Sequence, residues 1–162
     1  MLPWYVNFIK KEYFRLFPLP EELEQPSVWG TITNQEVYTV MPRQYTDTEG
    51  KKHNNSVKCY DKIYRTTTQE ELQRFLDVWK YRKPDDPPEA PKMSPDCDDR
   101  ALRLLGDIKA WTNVLCVGTL WTLRPAHMKL VFIDIDGVPW EIEPSSRKML
   151  VLDRDDIYES RI

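Results

Sequence analysis

The sequence predicts an α+β domain, an amphipathic helix packed on an antiparallel sheet, and three observations carry that expectation. From Cys97 the apolar side chains recur at helical spacing through Ala101, Leu104, Leu105 and Ile108, up to about Trp111. The segments Asn113 to Trp121 and Met128 to Ile135 then read as apolar strands. Asp136-Gly137 supplies a turn, Trp140-Glu141-Ile142-Glu143 returns before Pro144, and Met149-Leu150-Val151-Leu152 adds a further strand. One apolar helix face against one apolar sheet face is the layout that buries both.

The elements upstream follow from local signals. Pro3 suits a helix N1 position, Tyr5, Ile9, Tyr13 and Leu16 continue at helical spacing, and Pro18 and Pro20 end that helix. Such an aromatic helix most often packs on its own domain; otherwise it docks on a protein partner or a membrane surface. Glu36 to Met41 and Val57 to Tyr64 are β-prone, and the polar stretch Thr46 to Ser56 with Gly50 reads as the loop of a hairpin between them. His53 lies in that loop with no obvious partner and is expected to be solvated. Thr68-Gln69-Glu70-Glu71 matches a capping box, after which Leu72, Phe75, Leu76 and Trp79 line one helical face. Lys83 to Pro95 contains five prolines and is expected to be a linker or an ordered loop. The chain is thus expected to comprise an N-terminal extension over 1–65, a helix plus hairpin, and a core over 66–162, forming one compact unit.

Composition narrows the function classes. At 162 residues with 41% hydrophobic and 30% charged residues, the chain suits one domain with a real core. A net charge of −3 lacks the basic imprint of a nucleic-acid partner. No apolar run approaches the roughly 18 residues of a membrane span, and the start lacks a basic leader or cleavage site. Three cysteines argue against a disulfide framework and for a reducing compartment. The expected location is the cytoplasm, or a virion assembled there.

With two histidines and three cysteines, one thiol–imidazole pairing sets a helix start against a strand start: Cys97 with His127. Ser94 reads as N-cap and Pro95 as N1, so Asp96 and Cys97 fall at N2 and N3. The helix N-terminus favours thiolate at Cys97, whereas Asp96, Asp98 and Asp99 disfavour it, and a nearby imidazolium would decide for thiolate. A buried structural cysteine with first-turn acids explains the same residues without chemistry. Cys116 reads as core and Cys59 as part of a strand. A cysteine–histidine metal site is not expected, because the ligand spacings match no zinc pattern.

Asp96-Cys97-Asp98-Asp99 heading a helix, His127 before a strand, then Gly137, Trp140 and Glu143-Pro144, resembles the transglutaminase-like cysteine peptidases of bacterial and phage type. The resemblance covers about Pro95 to Pro144 and implies a papain-like core, with Cys97 as nucleophile, His127 as base and Glu143 as the residue orienting the imidazole. That family usually has aspartate at the position of Glu143 and glycine at that of Pro95. A two-residue turn at Asp136-Gly137 would pair Leu130 with Glu143 and face Glu143 away from His127. A three-residue loop over Asp136, Gly137 and Val138 would pair Val131 with Glu143 on the histidine's side. Asp134, the nearest alternative acid, alternates onto the face opposite His127.

The implied activity is thiol-dependent acyl transfer, hydrolysis of an amide bond in a protein or peptide substrate through a Cys97 thioester. The oxyanion would sit on the Cys97 N–H and one further donor, with Trp79, Tyr81 and the linker backbone as sources. No cofactor or metal is required; Asp96 and Asp98 are first-turn dipole partners or, as in some relatives, calcium ligands. The alternative is a catalytically silent transglutaminase-like module, a structural or binding component such as part of a phage particle, contacting partners through the N-terminal helix and the proline-rich connector.

Overall fold

The computed structural model describes residues 24–79, 97–112 and 114–162. The N-terminal aromatic helix, the proline-rich connector and the Ser94–Asp96 cap lie outside the described residues. The described body is α+β and centres on one six-stranded sheet of order β4-β10-β6-β7-β8-β9. Its strands are β4 (Ser56–Lys58), β6 (Val117–Leu123), β7 (Ala126–Ile133), β8 (Pro139–Glu143), β9 (Lys148–Val151) and β10 (Ile157–Arg161). All neighbours are antiparallel except β4 and β10, which run parallel.

Both faces of the sheet are covered. On one face lie α2 (Gln69–Val78) and α3 (Cys97–Trp111). Leu72, Phe75 and Leu76 of α2 and Ala101, Leu104 and Ile108 of α3 pack there on Val117, Met128, Leu130, Phe132, Ile142 and Met149. Phe75 stacks on Trp111 with centroids 4.9 Å apart. Fully burying such side chains contributes about 1.5–3 kcal/mol each, which holds both helices to the sheet. On the other face, α1 (Asn34–Val40) and the ribbon β1 (Gly30–Thr33)/β5 (Ile63–Thr66) bring Ile32, Val37 and Tyr64. These pack against Leu120, Val131, Ile133, Leu152 and Ile157.

Several expectations need correction. Glu36 to Met41 is not a strand: Thr33 and Glu36 form a reciprocal capping box, and Asn34–Val40 is helical. That T-x-x-E signal outweighs the β-propensity of Val37, Tyr38 and Val40 because one helical turn buries Val37 on the sheet. The strand expected over 57–64 splits into β4 and β5, and the hairpin is instead a small pair, β2 (Gln44–Thr46) with β3 (Lys52–Asn54). The boundary expected at residue 65 falls inside β5, and β4 is hydrogen-bonded into the main sheet through β10. Strand β10 has no counterpart in the sequence reading. Two positions are fixed by backbone geometry. Gly118 passes so close to the Arg161 carbonyl that a Cβ there would overlap it. Arg147, at φ 59°, closes the β8–β9 turn and donates to the Asp77 and Trp79 carbonyls at the end of α2 (3.3 and 3.1 Å).

Candidate functional site

The loop between β7 and β8 decides where Glu143 points. Its register pairs Leu130 with Ile142, Val131 with Glu141, Phe132 with Trp140 and Ile133 with Pro139. Neither register considered from sequence is the one formed; the ladder closes one residue earlier, with the Asp134 N–H donating to the Val138 carbonyl (3.1 Å). Asp134 explains the shift. Buried at 6% exposure, its carboxylate accepts from the N–H groups of Asp136 (3.0 Å) and Val138 (2.8 Å) and from Trp140 Nε1 (2.7 Å). Ile135, Asp136 and Gly137 therefore form the loop, with Gly137 at φ +77°. Continuing the ladder sets Glu143 opposite Lys129, two residues from His127 and on the same face.

The structure brings His127 and Glu143 together. His127 Nε2 lies 2.8 Å from Glu143 Oε2, both side chains being about a quarter exposed. The other carboxylate oxygen of Glu143 accepts from Ser145 Oγ (2.6 Å) and the Ser145 N–H (3.2 Å). Burial pushes the Glu143 carboxyl up, but the hydrogen bonds from Ser145 and His127 outweigh it and hold the group below its ordinary range. Lys129 Nζ stands 3.9 Å from Glu143 Oε2 and 3.1 Å from Glu141 Oε1. Arg154 reaches Glu141 (3.6 Å) and Asp156 (2.8 Å). From Glu143 through Lys129, Glu141 and Arg154 to Asp156 the charges thus alternate in sign, and of this face sequence reasoning named only His127 and Glu143. The signal for the others was the period-2 spacing of Lys129 from His127 and of Glu141 from Glu143.

The structure does not bring Cys97 to His127. Cys97 is the first described residue of α3 and packs, half-buried, against the helix-side core that contains Met128, Leu130 and Phe132. The β6–β7 register runs without a shift from Leu123–Ala126 to Val117–Phe132, so alternate residues keep to opposite faces. Val131 and Ile133, of His127's parity, face the other core, and so does Leu120, of the parity of its cross-strand neighbour Thr122. The sheet therefore stands between the sulfur and the imidazole, and no hydrogen bond joins them. This is the physical correction to the pairing expected from sequence: a helix start and a strand start were placed, but the face of the strand was not. The same parity argument that brings Glu143 to His127 takes His127 away from α3.

The other candidates also have definite places. His53 is not a lone loop residue: its Nε2 lies 2.7 Å from Asp47 Oδ2, and its ring stacks on Tyr45 at 5.1 Å. The His53 hydrogen bond lowers the Asp47 carboxyl, aided by the Lys51 N–H. Tyr45 and His53 are directly opposite across β2–β3, a contact legible only once that hairpin is drawn. Cys116 is fully buried and burial pushes its thiol up to about 12; Cys59 is also raised by burial. Asp98 lines a groove of about 630 Å³ beside α3, with Leu102, Leu105, Lys109, Trp121 and Arg161 among its walls. Trp79 Nε1 donates to Asp107 (2.7 Å), so the indole offered as an oxyanion donor is engaged in helix packing. Among the described residues no group of three or more His, Cys, Asp or Glu side chains is placed to hold a metal ion. No helix among them is long and apolar enough to cross a membrane.

No family model and no curated protein matches this chain. Among solved structures the chain is similar to the protein titled "PSL1a-E64 complex", with a TM-score of 0.55 and 16% identity over 82% of this chain. At that identity the likeness is one of fold. This chain spans about half the length of that neighbour, 50% of which is covered.

Proposed function

We propose that this chain is a catalytically silent module with a transglutaminase-like, papain-like layout, acting as a structural or protein-binding component. The observation that carries this reading is the placement of Cys97 and His127 on opposite faces of β7. A thiol nucleophile needs its base within hydrogen-bond reach, and a packed sheet layer is not a gap that a side-chain rotation closes. The His127–Glu143 hydrogen bond instead leads into a series of ion pairs through Lys129, Glu141, Arg154 and Asp156 that laces β7, β8 and the approach to β10 together. The test is alkylation by iodoacetamide near neutral pH, with the modified cysteines mapped by mass spectrometry. A silent Cys97 reacts no faster than about threefold above a small-molecule thiol, and His127→Ala leaves its rate unchanged. A rate more than about tenfold higher, slowed by His127→Ala, overturns the reading.

Two observations favour a second reading, thiol-dependent hydrolysis of a protein or peptide amide. His127 gives Nε2 to Glu143, which leaves Nδ1 as the atom that would meet a thiol. The fold is also similar to that of a protein whose title names E64 as its bound partner. In this reading Cys97 Sγ attacks the amide carbonyl, His127 protonates the leaving amine, Glu143 orients the ring, and water releases the acyl group from the thioester. E64 distinguishes the two. A stoichiometric adduct on Cys97, abolished by Cys97→Ala and slowed by His127→Ala, supports hydrolysis; an unmodified chain supports the silent module.

A further inference from the structure

We propose that β9 is a self-association edge, where two copies of this chain pair antiparallel about a two-fold axis through Leu150. The pairing would join their six-stranded sheets into one. Among the described residues no strand follows β9 in the sheet order. The Leu152 N–H donates to the Pro139 carbonyl (2.9 Å), and Leu150 pairs with Glu141 in the same ladder. Antiparallel hydrogen bonding alternates, so Lys148 and Leu150 turn their backbone groups toward β8. Met149 and Val151 turn theirs outward. Beside those outward groups, Leu150 is 60% exposed and Val151 is 53% exposed. No proline or register shift blunts the edge within β9.

The register of the pairing follows from symmetry. A two-fold axis normal to the sheet keeps every residue on its own face, so each residue can oppose only residues of its own parity. Centring on Leu150 sets Met149 against Val151 of the second copy, and both carry outward groups. Two such pairs arise, each exchanging both N–H···O bonds. Leu150 then meets its own counterpart at the closer, non-hydrogen-bonded spacing, about 4.5 Å between Cα atoms.

Charge selects a second copy running antiparallel. The edge begins with Arg147-Lys148 and leaves through Asp153. Antiparallel pairing about Leu150 brings the Lys148 end of each β9 alongside the Leu152-Asp153 end of the second copy, whereas parallel pairing sets like charge beside like. The chain's own connector, Lys83 to Pro95, suits the edge poorly because its five prolines lack the N–H a ladder requires.

The experiment is sedimentation velocity on the full chain from about 1 µM to about 1 mM, the range in which a short edge pairing is expected to dissociate. The weight-average mass should rise toward twice the 19.3 kDa of one chain. Val151→Pro removes an outward donor without touching the bonds to β8, and Leu150→Lys sets like charges on the axis. Each should weaken association at least about tenfold while circular dichroism stays unchanged. Under mild oxidation Leu150→Cys should link to its own counterpart, and Lys148→Cys should not, because its counterparts are too far apart for a disulfide. A chain monomeric at the highest concentration overturns the proposal. So does linkage through Lys148→Cys in preference to Leu150→Cys. Slow hydrogen exchange at the Val151 amide in a monomer would show another segment of the same chain on the edge, and overturns it equally.

Discussion

Replacing Asp134 by alanine removes the acceptor that sets the β7–β8 register. Three donors lose their partner at once: the Asp136 and Val138 N–H groups and Trp140 Nε1. A hydrogen bond to a charged acceptor is worth about 1.5–3 kcal/mol net, so full loss of all three would be about 4.5–9 kcal/mol. Water reduces that figure, because Asp136 is exposed and its N–H can be resolvated in the turn. The Val138 and Trp140 donors are better shielded, and about 3 kcal/mol is the expected loss. For a chain of this length that corresponds to about 6–12 °C in Tm. Asp134→Asn keeps one oxygen for the turn amides but points an NH2 at the indole, so a loss of about 1–2 kcal/mol is expected. Urea denaturation gives both numbers. The Trp140 indole N–H resonance, assigned with Trp140→Phe, should move upfield in Asp134→Ala. If Asp134→Ala costs less than about 0.5 kcal/mol, the carboxylate does not set the register. The account of how Glu143 reaches His127 then fails with it.

Three further outcomes follow from the described geometry. Thr33→Ala removes the capping-box acceptor of α1 and should cost about 1 kcal/mol in urea denaturation, with Thr33→Ser recovering most of it. Glu143 titrates low in the folded chain, so its contribution is present above the ordinary glutamate value of 4.5 and is lost as pH falls through the folded value. Glu143→Gln should therefore destabilise by about 1 kcal/mol at pH 7, discounted for partial exposure, and by much less near pH 3 when denaturation is compared at both. Gly118→Ala must push the Arg161 carbonyl away, loosening β10 and the Tyr64 hydroxyl bond to Ile162 (3.0 Å). A loss of about 2–3 kcal/mol and faster exchange of the β10 amides are expected.

Helix α2 was readable because the Thr68 N-cap and the 3.6-residue period of Leu72, Phe75 and Leu76 agree, and α3 was readable from that period alone, from Cys97 to Trp111. The central meander was readable from apolar runs punctuated by Asp136-Gly137. What failed was pairing at a distance. Strand β4 runs beside β10 and β1 beside β5 through tertiary contacts that no local pattern encodes. Thr33 to Glu36 carried a capping box hidden under β-branched and aromatic neighbours. At the candidate site, spacing along β7 and β8 did hold the parity information that unites His127 with Glu143. Which face α3 covers depends on Met128, Leu130 and Phe132 burying more area than Lys129 and His127 can. That comparison, applied to the strand before the motif, separates Cys97 from His127.

The pairing of Lys58 with Arg161 in β4 and β10 has a consequence for how the molecule comes into being. Ser56 to Lys58 leaves the ribosome with no neighbour in the sheet and waits until about a hundred further residues have been synthesised. Late in that interval the core that contains Leu120 and Val131 has been made but still lacks Ile157 and Ile162, which complete it. Nascent chains of this protein are thus most vulnerable to clumping just before Ile157 emerges, and slowing translation there should prolong their dependence on chaperones.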